Sequence, residues 1–228
     1  MLRGLLSGNM GFMDILVYIL STCTVVLLTL PVHEFAHGFT AVKLGDNTPR
    51  WQGRLTLNPF AHLDPIGSAC ILLFGFGWAK PVQVNHNNFR NPKKDMAIVA
   101  LAGPLSNIIL AIISMLLYNT VMTIGMNLSD TTAIIYVMYF FYWIALINVS
   151  LAVFNLIPIP PLDGSRLLSA LLPYRQYYML MRYERYIYFG LLALLWVGVL
   201  DIPLDFLSNG VMNAVTFIAG LPFKFILR

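Results

Sequence analysis

The sequence predicts an all-α polytopic membrane protein of about five transmembrane helices plus one membrane-reentrant, β-hairpin-like element. Three observations lead there: composition, the lengths of the apolar runs, and the sorting of basic and acidic residues between them. Of 228 residues, 58% are hydrophobic and only 11% charged, against roughly 45–50% and about 25% in soluble domains. Mean hydropathy is +0.75. So few charges cannot cover a globular surface, which excludes an ordinary soluble enzyme, a disordered chain and most nucleic-acid binders. The net charge of +4 therefore matters less than where the charges lie, and no nucleic-acid partner is expected.

Six apolar runs follow in order. The first, residues 13–42, is interrupted by Pro31, His33, Glu34 and His37. The second, 66–78, is short and glycine-rich. The third, 96–122, reaches roughly 36–40 Å as a helix at about 1.5 Å per residue, enough to cross a bilayer with some tilt. The fourth covers 132–156, the fifth 186–200 and the sixth 204–221. The fifth is short for a span unless Tyr183, Tyr186 and Tyr188 anchor its start at the membrane interface.

Charge placement orients these runs. Lys43, Arg50, Arg54, Lys80, Arg90, Lys93 and Lys94 lie between the first and third. Arg166, Arg175, Arg182 and Arg185 lie between the fourth and fifth, and Lys224 and Arg228 at the C-terminus. The remaining connections carry Asp130, Asp201 and Asp205 without Lys or Arg. By the positive-inside rule the basic groups mark the cytoplasmic side, so the N-terminus faces out, against the pull of Arg3, and the C-terminus faces in.

Lys43 and Lys80 flank the second run and belong on one side, so this run is expected to enter and leave by the same face. Residues 78–84 alternate loosely, and 85–88 read as a turn. The whole chain, 1–228, reads as one unit with a core over about 12–172 and accessory helices over about 183–222. No cleavable leader is expected. Cys23 and Cys70 sit in apolar runs, without the spacing of a disulfide framework or metal pair.

Ionisable residues inside apolar runs cost about 2.5–3.5 kcal/mol each on insertion scales and are functional candidates by default. His33, Glu34 and His37 form an HExxH motif. Residues four apart share a helix face, so both imidazoles can reach one Zn²⁺ ion. Glu34 is rotated off that line and is placed to take a proton from activated water. A catalytic zinc site needs a third protein ligand, and the best distant candidate is Asp163, after the proline-broken stretch Asn155 to Pro161. Locally Asp163 serves equally well as the N-cap of the next helix.

Other polar residues keep two readings. Asn107, in Gly103-Pro104-Leu105-Ser106-Asn107, either bonds across a helix interface or faces substrate and a developing oxyanion. His62 reads first as a loop histidine that packs near the site, with a supporting role toward the metal as the alternative. His86 reads as exposed. The glycines of Phe74-Gly75-Phe76-Gly77 lack the spacing and βαβ context of a nucleotide loop.

Three motifs in this order, His33-Glu34-Phe35-Ala36-His37, Gly103 to Asn107, and Asn155 through Pro158 and Pro160 to Asp163-Gly164, resemble the site-2 protease family of intramembrane zinc metalloproteases. The resemblance covers residues 27–172. Gly77 to Val82 and Asn88 to Pro92 are similar to its compact prokaryotic branch, which lacks a PDZ domain, and so imply a prokaryotic cell membrane.

The resemblance implies His33, His37 and Asp163 as zinc ligands, one Zn²⁺ per chain, and Glu34 as general base. It implies Asn155, with Asn107 nearby, as a substrate or oxyanion contact. It further implies a transmembrane substrate that adds as a strand to the element around 66–84, and an active site toward the cytoplasm. A catalytically silent helix-binding scaffold, or a metal transporter using the same ion site, is the competing reading. The intact Glu34 argues against both.

Overall fold

The computed structural model describes residues 11–74, 79–125 and 131–224. Arg3, Gly75 to Trp78, Asp130 and Arg228, which entered the readings above, lie outside them.

The first apolar run is one continuous helical rod. It comprises α1 (Phe12–Thr24), a π-helical segment (Val25–Thr29) and α2 (Leu30–Lys43). The π segment has a local cause. Pro31 has no N–H to give the Leu27 carbonyl, and the ladder slips so that the Leu30 N–H donates to the Val25 carbonyl, five residues back. The slip falls directly before the HExxH turn and sets the rotation at which His33 and His37 leave the rod.

Two short helices follow, α3 (Thr48–Trp51) and α4 (Pro59–His62), the latter capped by Asn58 on the Phe60 N–H. The second apolar run differs from expectation. It forms a helix, α5 (Pro65–Phe74), whose first N–H groups are capped by Asp64. Among the described residues the only β feature is an isolated antiparallel bridge between Leu63 and Ala79, extended by the Lys80 N–H donating to the His62 carbonyl at 2.7 Å. The ends of the segment are thus paired, and a helix lies between them. An apolar run of this length fits either state by pattern, and proline at the first helical position favours the helix.

The long helices are α6 (Pro92–Gly125) and α7 (Thr132–Asn155). Next come the short amphipathic α8 (Asp163–Leu171) and α9 (Tyr174–Arg182), then α10 (Glu184–Val197) and α11 (Asp201–Gly220). Among the described residues four helical stretches are long and apolar enough to cross a membrane: Phe12–Lys43, Pro92–Gly125, Thr132–Asn155 and Asp201–Phe223. The fifth expected span is shorter. At 14 residues, α10 is about 21 Å long, below the roughly 30 Å of a hydrocarbon core.

Ala111 and Met115 of α6, Ala145, Val149 and Val153 of α7, and Met212, Val215 and Ala219 of α11 form one buried cluster. Alanines at its centre let the backbones approach closely, the usual solution where lipid removes the hydrophobic drive between helices. Polar side chains also bridge helices, one pair within this set and two between the first rod and α7. Asn119 donates to the Ala219 carbonyl, Ser21 to the Phe140 carbonyl, and Asn148 to the Thr29 hydroxyl. A second cluster joins Val26 and Leu30 of the rod to Ile71 of α5, with Leu63 and Ala79 against it. A third packs Ala41, Phe89 and Val99 together, with Val84 alongside, and fastens the chain after residue 79 against α2 and α6.

Candidate metal centre and active site

His33 and His37 are buried on one face of α2. Asp163, the first residue of α8, reaches them from the proline-rich turn after α7. Its Oδ2 lies 3.2 Å from His33 Nε2 and 3.1 Å from His37 Nε2. The two Nε2 atoms are 3.1 Å apart. These edges nearly match the ligand spacing of about 3.3 Å that a tetrahedral zinc ion with bonds of about 2.0–2.1 Å requires. The three ligand atoms all fall within 4.8 Å of one another, close enough to hold a metal ion. Burial works against the Asp163 charge, but its bonds to the two imidazoles outweigh this and hold the carboxyl well below the usual carboxylate range.

The far side of each imidazole fixes its tautomer. His37 Nδ1 lies 2.7 Å from the Val99 carbonyl oxygen, which can only accept. The proton therefore sits on Nδ1, and Nε2 turns a lone pair toward the site. His33 Nδ1 faces Asn107 Oδ1 at 3.3 Å with the same effect. Asn107 is thus a partner of a candidate ligand. Its buried Nδ2 makes no hydrogen bond among the described residues.

Gly103 explains how α6 comes so close. A Cβ at this position would fall 2.6 Å from His33 Cε1 and would also collide with the His37 ring. The helix backbone itself forms one wall of the metal centre. At Gly164 a Cβ would strike the Leu156 and Ile157 carbonyls, so the tight return of the chain that aims Asp163 also needs a missing side chain. That close return settles the local choice for Asp163: its carboxylate bonds the histidines and does not cap α8.

Glu34 stands apart from the three-atom cluster. Its Oε2 accepts the Val82 backbone N–H at 2.8 Å. Val82 lies in a stretch without regular structure that is pinned on both sides. Upstream is the Lys80–His62 backbone bond. Downstream, the Asn85 N–H donates to Asp46 Oδ2 at 2.7 Å. Asp46, fully buried just after α2, also accepts from the Thr48 N–H and hydroxyl and from Asn88 Nδ2. Burial raises its pKa, and these hydrogen bonds overcome that and hold it below the ordinary carboxylate value.

Sequence reasoning missed Val82 and Asp46. A backbone donor leaves no mark in sequence. The Asp46-Asn47-Thr48 pattern does signal an Asx-type turn, but its clasp on Asn85 and Asn88 is non-local.

The remaining candidates lie outside this cluster. His62 is fully buried, and its Nε2 donates to the Thr56 carbonyl at 2.8 Å, while Nδ1 makes no hydrogen bond among the described residues. Arg54 donates to the neighbouring Ala61 carbonyl. His62 therefore locks its own loop, the first of its two readings. Asn155 is the last residue of α7 and is half-buried, with no side-chain hydrogen bond among the described residues.

Two imidazoles and a carboxylate converge on one point, with a second carboxylate beside them in an apolar bundle, and form a candidate metal centre of the metalloprotease kind. Comparison with known proteins agrees: residues 21–198 match the model of Peptidase family M50. The chain belongs to this family, the site-2 protease family, and no PDZ domain is found beside the match. It is 44% identical over 162 residues to the "Putative zinc metalloprotease YwhC" of Bacillus subtilis (strain 168), covering 69% of this chain and 74% of that one. It is 32% identical over 148 residues to a protein named in the same way, Rip2, of Mycolicibacterium smegmatis, covering 60% of this chain and 52% of that one. Rip2 of Mycobacterium tuberculosis (strain H37Rv) is 33% identical over 143 residues, with 60% and 52% covered. The chain spans about half the length of these mycobacterial relatives. No solved structure matches it. The protein is thus an integral-membrane zinc metalloprotease.

Proposed function

We propose that this protein hydrolyses peptide bonds in or near the transmembrane segments of other membrane proteins, with His33, His37 and Asp163 holding the zinc ion and Glu34 acting as general base. The observation that carries this reading is the near-equilateral cluster of His33, His37 and Asp163 ligand atoms, 3.1–3.2 Å on a side, with Glu34 one residue away and outside it. When bound there, Zn²⁺ supplies Lewis-acid polarisation and makes water nucleophilic near neutral pH.

Glu34 takes the proton of the attacking water and delivers it to the leaving amine. The Val82 N–H fixes the carboxylate for that transfer. Asn107 and Val99 keep the two imidazoles in the ligand tautomer. Asn155 contacts the scissile region of the substrate.

The segment after Ala79 provides the docking edge. In extended chain, alternate residues turn their backbone groups to opposite sides. Lys80 and Val82 use theirs toward His62 and Glu34, so those of Pro81 and Gln83, both exposed, face outward. A substrate helix that unwinds beside them adds as a strand, which frees its carbonyls from its own hydrogen bonds and leads one past Glu34.

The charge pattern supports an N-out, C-in topology in a prokaryotic cell membrane. α5 enters and leaves by the cytoplasmic face, and α10 reaches across as the fifth span where the bilayer thins to meet it. His37 is six residues from Lys43, about 9 Å along the helix, so the active site lies toward the cytoplasm. The chain forms one protease domain, with α10 and α11 as accessory helices.

The test is reconstitution of wild-type and Glu34→Gln protein with a single-span reporter substrate. We expect the variant to keep its zinc and lose cleavage. Cleavage at the wild-type rate would exclude this mechanism. Zinc flux by the wild type without any peptide cleavage would instead support the transporter reading.

A further inference from the structure

Where α9 meets α10, a cavity of about 440 Å³ opens against the loop that carries Asp163. It is lined by Pro161, Met181, Arg182, Glu184, Arg185 and Tyr188. Arg182 is the last residue of α9 and Arg185 the second of α10, so the helix break at Tyr183 brings two guanidinium groups to one corner. Among the described residues neither arginine is engaged in a hydrogen bond or ion pair, even with Glu184 beside them. Tyr188 lies one turn on from Arg185, on the same helix face. The positive end of the α10 dipole opens at the same corner.

Beyond the cavity the surface of α10 turns apolar and exposed. Phe189 is 58% and Trp196 90% accessible. Cationic head and apolar flank match an amphiphile with an anionic headgroup.

We propose that this corner binds a phosphate group, which in the membrane is the headgroup of an anionic phospholipid. Two guanidinium forks and a phenol provide donors matched to phosphate oxygens. Glu184 accepts from a hydroxyl on the headgroup. The volume suits a headgroup and is larger than a single ion needs. The acyl chains lie along Phe189 and the exposed face of α10. The other source of the same chemistry is a soluble phosphate or phosphate ester reaching the corner from the water side.

The test uses the purified full chain in detergent, offered equal amounts of phosphatidylglycerol and phosphatidylcholine, with native mass spectrometry counting retained lipid. We expect wild type to retain phosphatidylglycerol preferentially, by about tenfold or more. The Arg182→Gln/Arg185→Gln double variant should bind it on the order of 25-fold more weakly, at about fivefold per arginine near an anionic headgroup. An Arg50→Gln control should leave the preference unchanged, and equal zinc content in all three proteins reports an intact fold.

A parallel titration with inorganic phosphate and glycerol phosphate separates the sources. Tight, arginine-dependent binding of these without a lipid preference assigns the corner to a soluble phosphate. Equal retention of both lipids by wild type, with no binding of either phosphate, overturns the proposal. So does a preference that survives the double substitution.

Discussion

The Glu34 carboxylate is held by the backbone N–H of Val82, at 2.8 Å, from a segment forty-eight residues further along the chain. That one bond couples the HExxH helix to the stretch after Ala79.

A proline at position 82 removes the donor together with part of a buried side chain, and an alanine there separates the two effects. Val82→Pro is expected to retain zinc and to lower cleavage of a reporter by on the order of 100-fold, within the range that a positioned general base contributes. Val82→Ala keeps the N–H and should stay within a few-fold of wild type. Equal rates for the two variants would show that the bond does not matter.

Gly103 gives a second test. An alanine there pushes a methyl group into both imidazoles, and the packed α6 backbone cannot retreat. Gly103→Ala should therefore weaken zinc binding on the order of 100-fold or more, measured by metal content after dialysis against a graded chelator. Leu105→Ala, at an exposed position two residues on, serves as the control. A zinc-replete Gly103→Ala protein would contradict the close approach.

Asn107 offers its Oδ1 to His33 Nδ1. Asn107→Leu leaves that imidazole without the acceptor that fixes its tautomer, and zinc affinity should fall about 10- to 100-fold. If Asn107 acted on substrate alone, the metal content would be unchanged and only cleavage would suffer.

Asp46 predicts a pH dependence. Its folded pKa lies below its ordinary value of 3.8. A depressed carboxylate contributes stability that is fully present above the unfolded pKa and is lost as pH falls through the folded one. Protection of residues 79–88 in hydrogen exchange should therefore hold at neutral pH and weaken only below about pH 4. Asp46→Ala should abolish that protection at all pH values, at a cost of about 1–3 kcal/mol for the donors left unpaired. Wild-type-like protection in the variant would mean that the clamp is not what holds the segment.

Several features were legible before any coordinates. The membrane class follows from a composition that cannot coat a globule. The candidate histidine pair follows from i, i+4 spacing on one helix face, whereas local pattern left Asp163 equally suited to ligand and helix cap. The sorted charges led to the expectation of a second run that returns to its starting side; the structure pairs Leu63 with Ala79 at its ends. Other readings went further than local pattern allows. The run after Asp64 is a helix where a hairpin was expected, because short apolar runs suit either state. The fifth run forms α10, which its polar start and Gly198 limit to Glu184–Val197.

The sequence by itself determined the solvent, the rod that carries the histidines, and the residue types able to hold zinc. These rest on composition and on periodicities a few residues long, which one segment contains within itself. Only the tertiary structure decided that the Asp163 carboxylate meets both imidazoles and leaves α8 uncapped, that Asn107 backs His33, that Gly103 is absent bulk against the imidazoles, and that the Val82 N–H holds Glu34. Each of these is a contact between segments tens of residues apart. Two of them depend on a backbone N–H or a missing side chain, groups that nearly every residue has or that carry no chemistry of their own, so their role exists only once the helices are packed.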